Sequence, residues 1–411
     1  MRERSSVEGV DPVGRGDTSA AVAFSHREQY SRFVPLLDSV RERFRLGDRG
    51  RAVESAAGGR RALVVGVTGI VGQTVAAKLV GLGWETFGLS RSGGSPSPAV
   101  TPVKADLSDP EGLARALDGV RPEIVAVTAW TRQETEAENI AVNGGAVRNL
   151  LAALEPAASV RHVALMTGLK HYLGPFEAYA TGVMADTPFR EEEPRLDSPN
   201  FYYAQEDEVF ASARRNGFTW SVHRSHTVFG FATGNAMNMV LTLAAYATIC
   251  KELGRPFVFP GSETQWNSVT DVTDAGLLAD QIIWASADDA GHDQAFNIAN
   301  GDVFRWRWLW PQIAEHFGLK WEGFEGRPRT LEASMAGMEQ VWHDIATRHG
   351  LVEPDLNRIA SWWHSDGDLG RNIEVLTDMN KSRKAGFLGF RDTRDSFFDY
   401  VEQYRQARII P

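Results

Sequence analysis

Three groups of residues have types and spacings suited to chemistry. The first is Gly66-Val67-Thr68-Gly69-Ile70-Val71-Gly72, a G-x-x-G-x-x-G run directly after the apolar stretch Ala62-Leu63-Val64-Val65. In such a run the first glycine permits a tight turn, the second lets backbone approach a pyrophosphate, and the third lets the following helix pack on the strand. The helix N-terminus adds free amides and the positive end of a dipole. The run predicts a dinucleotide site contacted by Gly66, Thr68, Gly69, Ile70 and Gly72. The second group is Ser90-Arg91-Ser92, standing where an NAD-binder would carry an acid for the ribose 2′-hydroxyl. An arginine between two hydroxyls suits a 2′-phosphate instead, through charge-assisted forked hydrogen bonds. NADP(H) is therefore expected over NAD(H). An ordinary solvated arginine in a loop is the plainer alternative.

The third group is split along the chain. Lys170 lies in Thr167-Gly168-Leu169-Lys170-His171-Tyr172, at the end of an apolar run, and Tyr202 in Asn200-Phe201-Tyr202-Tyr203-Ala204-Gln205-Glu206-Asp207. A phenol beside an ammonium, over a nicotinamide, stabilises negative charge developing on a substrate oxygen. Short-chain dehydrogenases usually carry tyrosine and lysine four residues apart, the lysine lowering the phenol pKa. That pair is absent: the fourth residue after Tyr202 is Glu206, after Tyr203 it is Asp207, and the chain has only seven lysines. A surface lysine and a core tyrosine would explain the same periodicity.

These groups need a scaffold, and the hydrophobic pattern supplies one. Short apolar runs at 62–66, 86–89, 100–104, 124–128, 162–166, 220–223 and 295–298 alternate with helical stretches such as 71–83. Strands alternating with helices imply a parallel sheet covered on both faces, with ligands at the carboxyl ends of the strands. The expected fold class is α/β, a doubly wound parallel (Rossmann) sheet with a smaller, mainly helical C-terminal substrate domain. By topology, Asp106 and Leu107 fall where adenine would lie, and Thr128, Ala129 and Trp130 where the nicotinamide end would pass. The expected division is a mobile extension over 1–60, an NADP-binding domain over 61–235 with its sheet completed by about 265–300, and a substrate-binding part over 236–264 and 301–411. The extension holds eleven Arg, nine acidic residues and no Lys, with Leu36, Leu37, Val40 and Phe44 at the spacing of one short amphipathic helix.

Composition narrows the function classes. The 411 residues carry a formal charge of −10, which disfavours general nucleic-acid binding. One cysteine, Cys250, excludes an internal disulfide framework and fits a reducing cytoplasm. No apolar run approaches a membrane span. The expected partner is a small apolar carbonyl compound, with no nucleic acid and no membrane, and a homodimer is compatible with the chain. Arg305-Trp306-Arg307-Trp308-Leu309-Trp310 has the look of a basic aromatic patch but reads more simply as a helix with buried tryptophans and outward arginines.

The lysine and paired-tyrosine motifs resemble those of the progesterone 5β-reductase and iridoid synthase-like (PRISE) enone reductases, within the extended short-chain dehydrogenases. The likeness runs from about residue 62 to Pro411. It includes Gly66-Val67-Thr68-Gly69-Ile70, Thr167 through Phe176, Asn200 through Tyr203 with Glu206-Asp207, Trp220 through Arg224, Phe229-Gly230-Phe231, Phe296 through Asp302, Asn380-Lys381-Ser382 and Gly386 through Arg391. The resemblance implies NADPH-dependent reduction of an activated C=C bond, hydride going to the β-carbon. Lys170 and Tyr202 would be the catalytic pair, Tyr202 also touching cofactor, with Val228 on the cofactor. Trp130, Phe176, Met237, Trp266 and His364 would line the substrate pocket, with Tyr246, Trp363 and Phe390 as further aromatic walls. No metal is implied. Two departures stand out. Members carry His-Arg-Pro where this chain has His223-Arg224-Ser225-His226, and plant members carry Phe where His364 follows Trp362-Trp363; both segments border cofactor or substrate, and polar pocket lining is expected there. Two other readings fit the same fold: a sugar-nucleotide epimerase or dehydratase, which would want the Tyr–Lys pair four apart, and a non-catalytic NADP(H)-sensing regulator, which would not need Lys170 and Tyr202.

Overall fold

A computed structural model describes residues 60–175 and 186–411. The expected extension before Arg60, its short helix and Phe176 lie outside the described residues.

Seven strands form one sheet: β1 (Arg61–Val65), β2 (Glu85–Ser90), β3 (Val100–Lys104), β4 (Ile124–Val127), β5 (His162–Gly168), β6 (Thr219–Ser225) and β7 (Gln294–Ile298). Their spatial order is β7-β6-β5-β4-β1-β2-β3, and every neighbouring pair is parallel. The order reverses beside β1, which opens a crevice at its carboxyl end. Helices α1 (Ile70–Gly81), α2 (Pro110–Ala116), α3 (Glu136–Leu154), α4 (Phe201–Asn216) and, later in the chain, α6 (Ala275–Ala287) cover the sheet. Leu63, Val65, Val125, Val127, Val163 and Leu165 meet Val147, Leu150, Leu151 and Val209 in the core between the sheet and α3–α4.

A second core gathers around α5 (Met239–Leu253), which is buried at twelve of its fifteen positions. It packs with α7 (Trp306–Phe317), α8 (Trp362–Leu369) and α9 (Thr393–Gln406), through Trp310, Leu369, Phe397 and Tyr404 among others. The two-residue strands Val228–Phe229 and Thr273–Asp274 pair beside α5 and lead the chain between the two cores. In α7, Trp306 and Trp310 are buried, but Trp308 is 49% exposed, so only two of the three tryptophans expected in the core enter it. No described helix is long and apolar enough to cross a membrane.

Strands β5 and β6 run past their apolar stretches, pairing Met166 with His223, Thr167 with Arg224 and Gly168 with Ser225. Ser225 Oγ donates to the Thr167 carbonyl at 3.1 Å and Arg224 Nη1 to the Tyr172 hydroxyl at 3.1 Å, while Thr167 Oγ1 is buried without a hydrogen-bond partner. The extension carries the ladder to the level of Lys170.

Candidate active site

The glycine run folds as its spacing predicts. Gly66 has φ +84°, open to glycine, and a Cβ there would sit 2.8 Å from Ala129 Cβ. A Cβ on Gly72 would come within 2.2 Å of the Gly66 carbonyl oxygen, so helix and turn touch backbone to backbone. Gly69 is the N-cap of α1 and has no side-chain cap, whereas Asp109, Thr135 and Asn200 cap α2, α3 and α4 with their own oxygens. The first-turn amides of α1 therefore have no side-chain acceptor at the cap, which suits a pyrophosphate. Thr128 Oγ1 donates to the Val65 carbonyl at 2.8 Å and fixes the β4 exit beside the turn.

The loop after β2 closes on the same turn. Ser90 Oγ donates to the Gly94 carbonyl at 3.1 Å, and Ser92 Oγ accepts from the Gly94 amide at 3.2 Å. Gly94 faces Thr68 Cγ2, 3.3 Å from where its Cβ would stand. Both serines thus shape the loop, and the Arg91 side chain projects from it exposed. Asp106 accepts from the Ser108 amide and hydroxyl, and these bonds, with the charge of Arg91, hold its carboxyl below the ordinary range. The Leu107 carbonyl is held by Asn149 Nδ2 at 2.8 Å. Val228 precedes Gly230, where a Cβ would meet Ile70 Cγ2 at 2.4 Å, so the segment after β6 crosses the start of α1.

Lys170 and Tyr202 arrive from separate elements at one corner. Lys170 opens a single helical turn (Lys170–Leu173) after β5, and Tyr202 lies in the first turn of α4. The Tyr202 hydroxyl stands 3.4 Å from where a Gly168 Cβ would be, two residues before the lysine. Lys170 Nζ sits 4.7 Å from the centre of the Phe201 ring, and that ring lies 4.2 Å from the Tyr202 ring. Trp130 packs on the other side of Phe201 at 5.0 Å. Lys170 is 3% exposed and donates to Glu136 Oε2 at 2.9 Å. Asn200 joins the two segments: its Nδ2 donates to the Lys170 carbonyl at 2.8 Å and its Oδ1 accepts from the Tyr202 amide at 3.0 Å.

The neighbours of the pair in sequence do different work. Burial pushes the His171 imidazole down to about 4, and its Nε2 meets the Glu193 carbonyl at 3.1 Å. Burial pushes the Tyr172 phenol up to about 12; it donates to Asn297 Oδ1 at 2.6 Å, accepts from Arg224 Nη1 at 3.1 Å and stacks on Phe189. Tyr203 donates to the His171 carbonyl at 2.8 Å and accepts from the Leu196 amide at 3.0 Å. These three residues lock the scaffold under the corner.

The two departures meet in one buried polar network. His226 contacts Asp271 Oδ1 through Nδ1 at 3.1 Å and accepts from Arg371 Nη1 through Nε2 at 2.6 Å. Arg371 also pairs with Asp368 of α8, whose other oxygen accepts from Thr227 at 2.8 Å. Burial alone would raise the Asp368 carboxyl, but Arg371, His364, His226 and Thr227 hold it down to about 2. His364, in the first turn of α8, is pushed down by burial, and its Nδ1 is buried without a hydrogen-bond partner. A small cavity beside the helical core is lined by residues that include His226, Thr227, Met239, Gln265, Asp271 and Arg371. Arg132, beyond Trp130, lies 4.4 Å over the Trp363 ring and brings the β4 exit against α8.

Some expected pocket walls are used elsewhere. Trp266 packs on Phe259 and Trp321 and fills the space beside Gly323 in the helical core. Tyr246 is 3% exposed, and its hydroxyl bonds both backbone groups of Val258, which makes it a core residue. Met237 is half-buried just before α5, its amide held by Asn235 Oδ1 at 2.9 Å. Phe390 is 58% exposed over Gly301. Sequence reasoning missed Glu136, Asn200, Asp271, Asp368 and Arg371. A cap signature, Thr135 with Glu138 three residues on, marks the start of α3 but gives Glu136 no distinction. The others have partners far along the chain.

A parallel sheet with this strand order, with the glycine turn and the Lys170–Tyr202 corner at its carboxyl edge, defines a Rossmann fold of the extended short-chain dehydrogenase type. Solved structures with the same fold include UDP-glucose 4-epimerase of Thermus thermophilus in complex with NAD, 19% identical with a TM-score of 0.59 over 84% of this chain and 99% of that one. The epimerase Mth375 of Methanothermobacter thermautotrophicus has a TM-score of 0.64 at 16% identity, over 89% of this chain and 95% of its own. Within that type, residues 116–411 match the model of the PRISE-like Rossmann-fold domain, and the chain belongs to that family. Relatives include the 3-oxo-Δ(4,5)-steroid 5-β-reductase of Arabidopsis thaliana, 41% identical over 85% of this chain and 93% of its own length. The (S)-8-oxocitronellyl enol synthase of Camptotheca acuminata is 38% identical over 91% of this chain and 98% of its own.

Proposed function

We propose that the protein is an NADPH-dependent reductase of the C=C bond of α,β-unsaturated carbonyl compounds. The observation that carries the reading is the corner itself. A buried lysine and a half-buried tyrosine, from different segments, flank Gly168 at the carboxyl edge of the sheet, in a chain whose relatives include a steroid 5-β-reductase. Reduced nicotinamide, when bound in the crevice, supplies the hydride that adds to the β-carbon. The chain's own residues do the rest. The Tyr202 hydroxyl donates to the carbonyl oxygen as negative charge gathers there, and the Lys170 ammonium raises the local positive potential. The shielding of Lys170 keeps that field from being screened by water. No residue has to remove a proton before the hydride moves, and the enolate then takes its α-carbon proton from solvent, which fits the absence of a tyrosine followed four residues later by lysine. Arg91, exposed at the rim of the β2 loop, would take the 2′-phosphate, and Gly66, Gly69 and the first turn of α1 the pyrophosphate. Trp130, Met237 and His364 would border a small apolar enone.

The test is direct. Purified protein mixed with NADPH and 2-cyclohexen-1-one should consume cofactor absorbance, and Tyr202→Phe should abolish most of that turnover. Cofactor binding with no consumption across a panel of enones would instead mark a regulator.

A further inference from the structure

Glu136 opens α3 directly behind its cap, a position where an acid ordinarily does no more than complement the helix dipole. Besides accepting from Asn139 Nδ2 of its own helix at 3.5 Å, its carboxylate reaches two other segments. Oε2 accepts from Lys170 Nζ at 2.9 Å, and Oε1 accepts from the Phe201 amide at 2.7 Å. Phe201 is the first residue of α4 and Tyr202 the second. One side chain therefore grips the ammonium of one half of the corner and the backbone that carries the other half. The side chains of Lys170 and Glu136 are 3% and 11% exposed, so removing either partner leaves a shielded charge uncompensated. Capping does not account for this placement, since Thr135 and Glu138 already complete the capping box.

We propose that Glu136 is a positioning residue for the reaction, setting the distance between the Lys170 ammonium and the Tyr202 hydroxyl by holding both segments on one carboxylate. The proposal rests on the enone-reducing reading of the corner. Glu136→Gln keeps the size and an acceptor for the Phe201 amide while removing the charge opposite Lys170. It should lower kcat roughly 10- to 100-fold, the cost of a misplaced catalytic group. The KM for enone and the Kd for NADPH should stay within about twofold. Glu136→Asp, which keeps the charge but shortens the reach, should recover part of kcat. In a Lys170→Met background Glu136→Gln should add almost nothing, because its effect passes through the lysine. An unchanged kcat in Glu136→Gln, or the same fold loss in both backgrounds, would overturn the proposal.

Urea denaturation of the four proteins of that cycle reads the pairing without any turnover, and non-additive midpoints are expected. Additive midpoints overturn the proposal whatever the substrate. Non-additive midpoints with a wild-type protein that reduces no enone overturn the enone reading and the role given to Glu136 together, leaving an ion pair of the fold.

Discussion

Strands β5 and β6 meet two polar assemblies, and only one of them lies at the carboxyl edge of the sheet, where the proposed chemistry is set. The first is the corner at their carboxyl ends, where Lys170, Glu136, Asn200 and Tyr202 meet beside a crevice. The second crosses their middle. Thr219 Oγ1 meets His162 Nδ1 at 2.8 Å, His162 Nε2 meets Ser221 Oγ at 2.8 Å, and Ser221 Oγ meets His223 Nε2 at 2.9 Å. His223 Nδ1 then reaches Gln281 Oε1 at 2.8 Å, and Gln281 Nε2 donates to the Asn297 carbonyl at 3.0 Å. Since the Gln281 amide nitrogen donates onward, its oxygen accepts from His223 Nδ1, which leaves His223 Nε2 to accept from Ser221 and Ser221 to accept from His162 Nε2. Burial pushes His162 far below, and His223 down to about 4, so both rings stay neutral. Serine between two histidines is a set of residues that elsewhere makes a nucleophile, yet here it is 0% exposed in mid-strand. Position along the strand, more than residue type, separates a site from a strut.

The comparison breaks most readily at the tyrosine. Tyr202→Phe should lower enone turnover at least about a hundredfold with little change in NADPH affinity, the usual cost of one preorganised donor to a developing oxyanion. An unchanged rate would leave the corner no more catalytic than the mid-sheet line. Acid should act on the line instead. His223 stays neutral in the folded protein down to about 4, while the unfolded chain takes up a proton below its ordinary 6.5. Stability from this group is therefore whole above about pH 6.5 and is lost as pH falls toward 4, by about 3 kcal/mol at most. Urea titrations across that range should show the fall in the wild type and a flatter slope in His223→Gln.

A smaller effect sharpens the same contrast. Ser221→Ala should cost about 1–3 kcal/mol of stability, because it strips a buried acceptor and donor from two neutral rings. Its turnover at neutral pH should match the wild type; a loss of rate without a loss of stability would make the line part of the site. Smallest of all, Arg91→Ala should weaken NADPH about tenfold, or about 1.4 kcal/mol, and leave NADH nearly unchanged, as titration by fluorescence would report. Equal losses for both cofactors would remove the phosphate role from the β2 loop.

Much of this was legible in local sequence. The glycine run, the seven apolar runs and the two motifs around Lys170 and Tyr202 are contiguous signals, and each element formed within a few residues of its expected bounds. The shortfalls have a common cause. The apolar runs of β5 and β6 stop before their ladders do, because Ser225 finds the Thr167 carbonyl and Arg224 the Tyr172 hydroxyl, partners that the runs themselves do not announce. Glu136 reaches Lys170 across 34 positions, and Arg371 reaches His226 across 145, separations that no local pattern encodes. Tyr246 and Trp266 looked equally suited to a pocket or a core, since an aromatic residue carries no mark of which wall it will face until its neighbours are known. The His226 and His364 departures were visible one at a time. That Asp368 and Arg371 tie them into one network only the fold discloses.

The central claim is that hydride reaches the far carbon of a conjugated carbonyl compound held by Tyr202. Reduction of 2-cyclohexen-1-one with NADPH deuterated at the transferring C4 position, followed by NMR of the product, tests it in one step. Deuterium at the β-carbon of cyclohexanone is the result expected. Deuterium on the carbinol carbon of 2-cyclohexen-1-ol, or recovery of both reactants untouched, would contradict it.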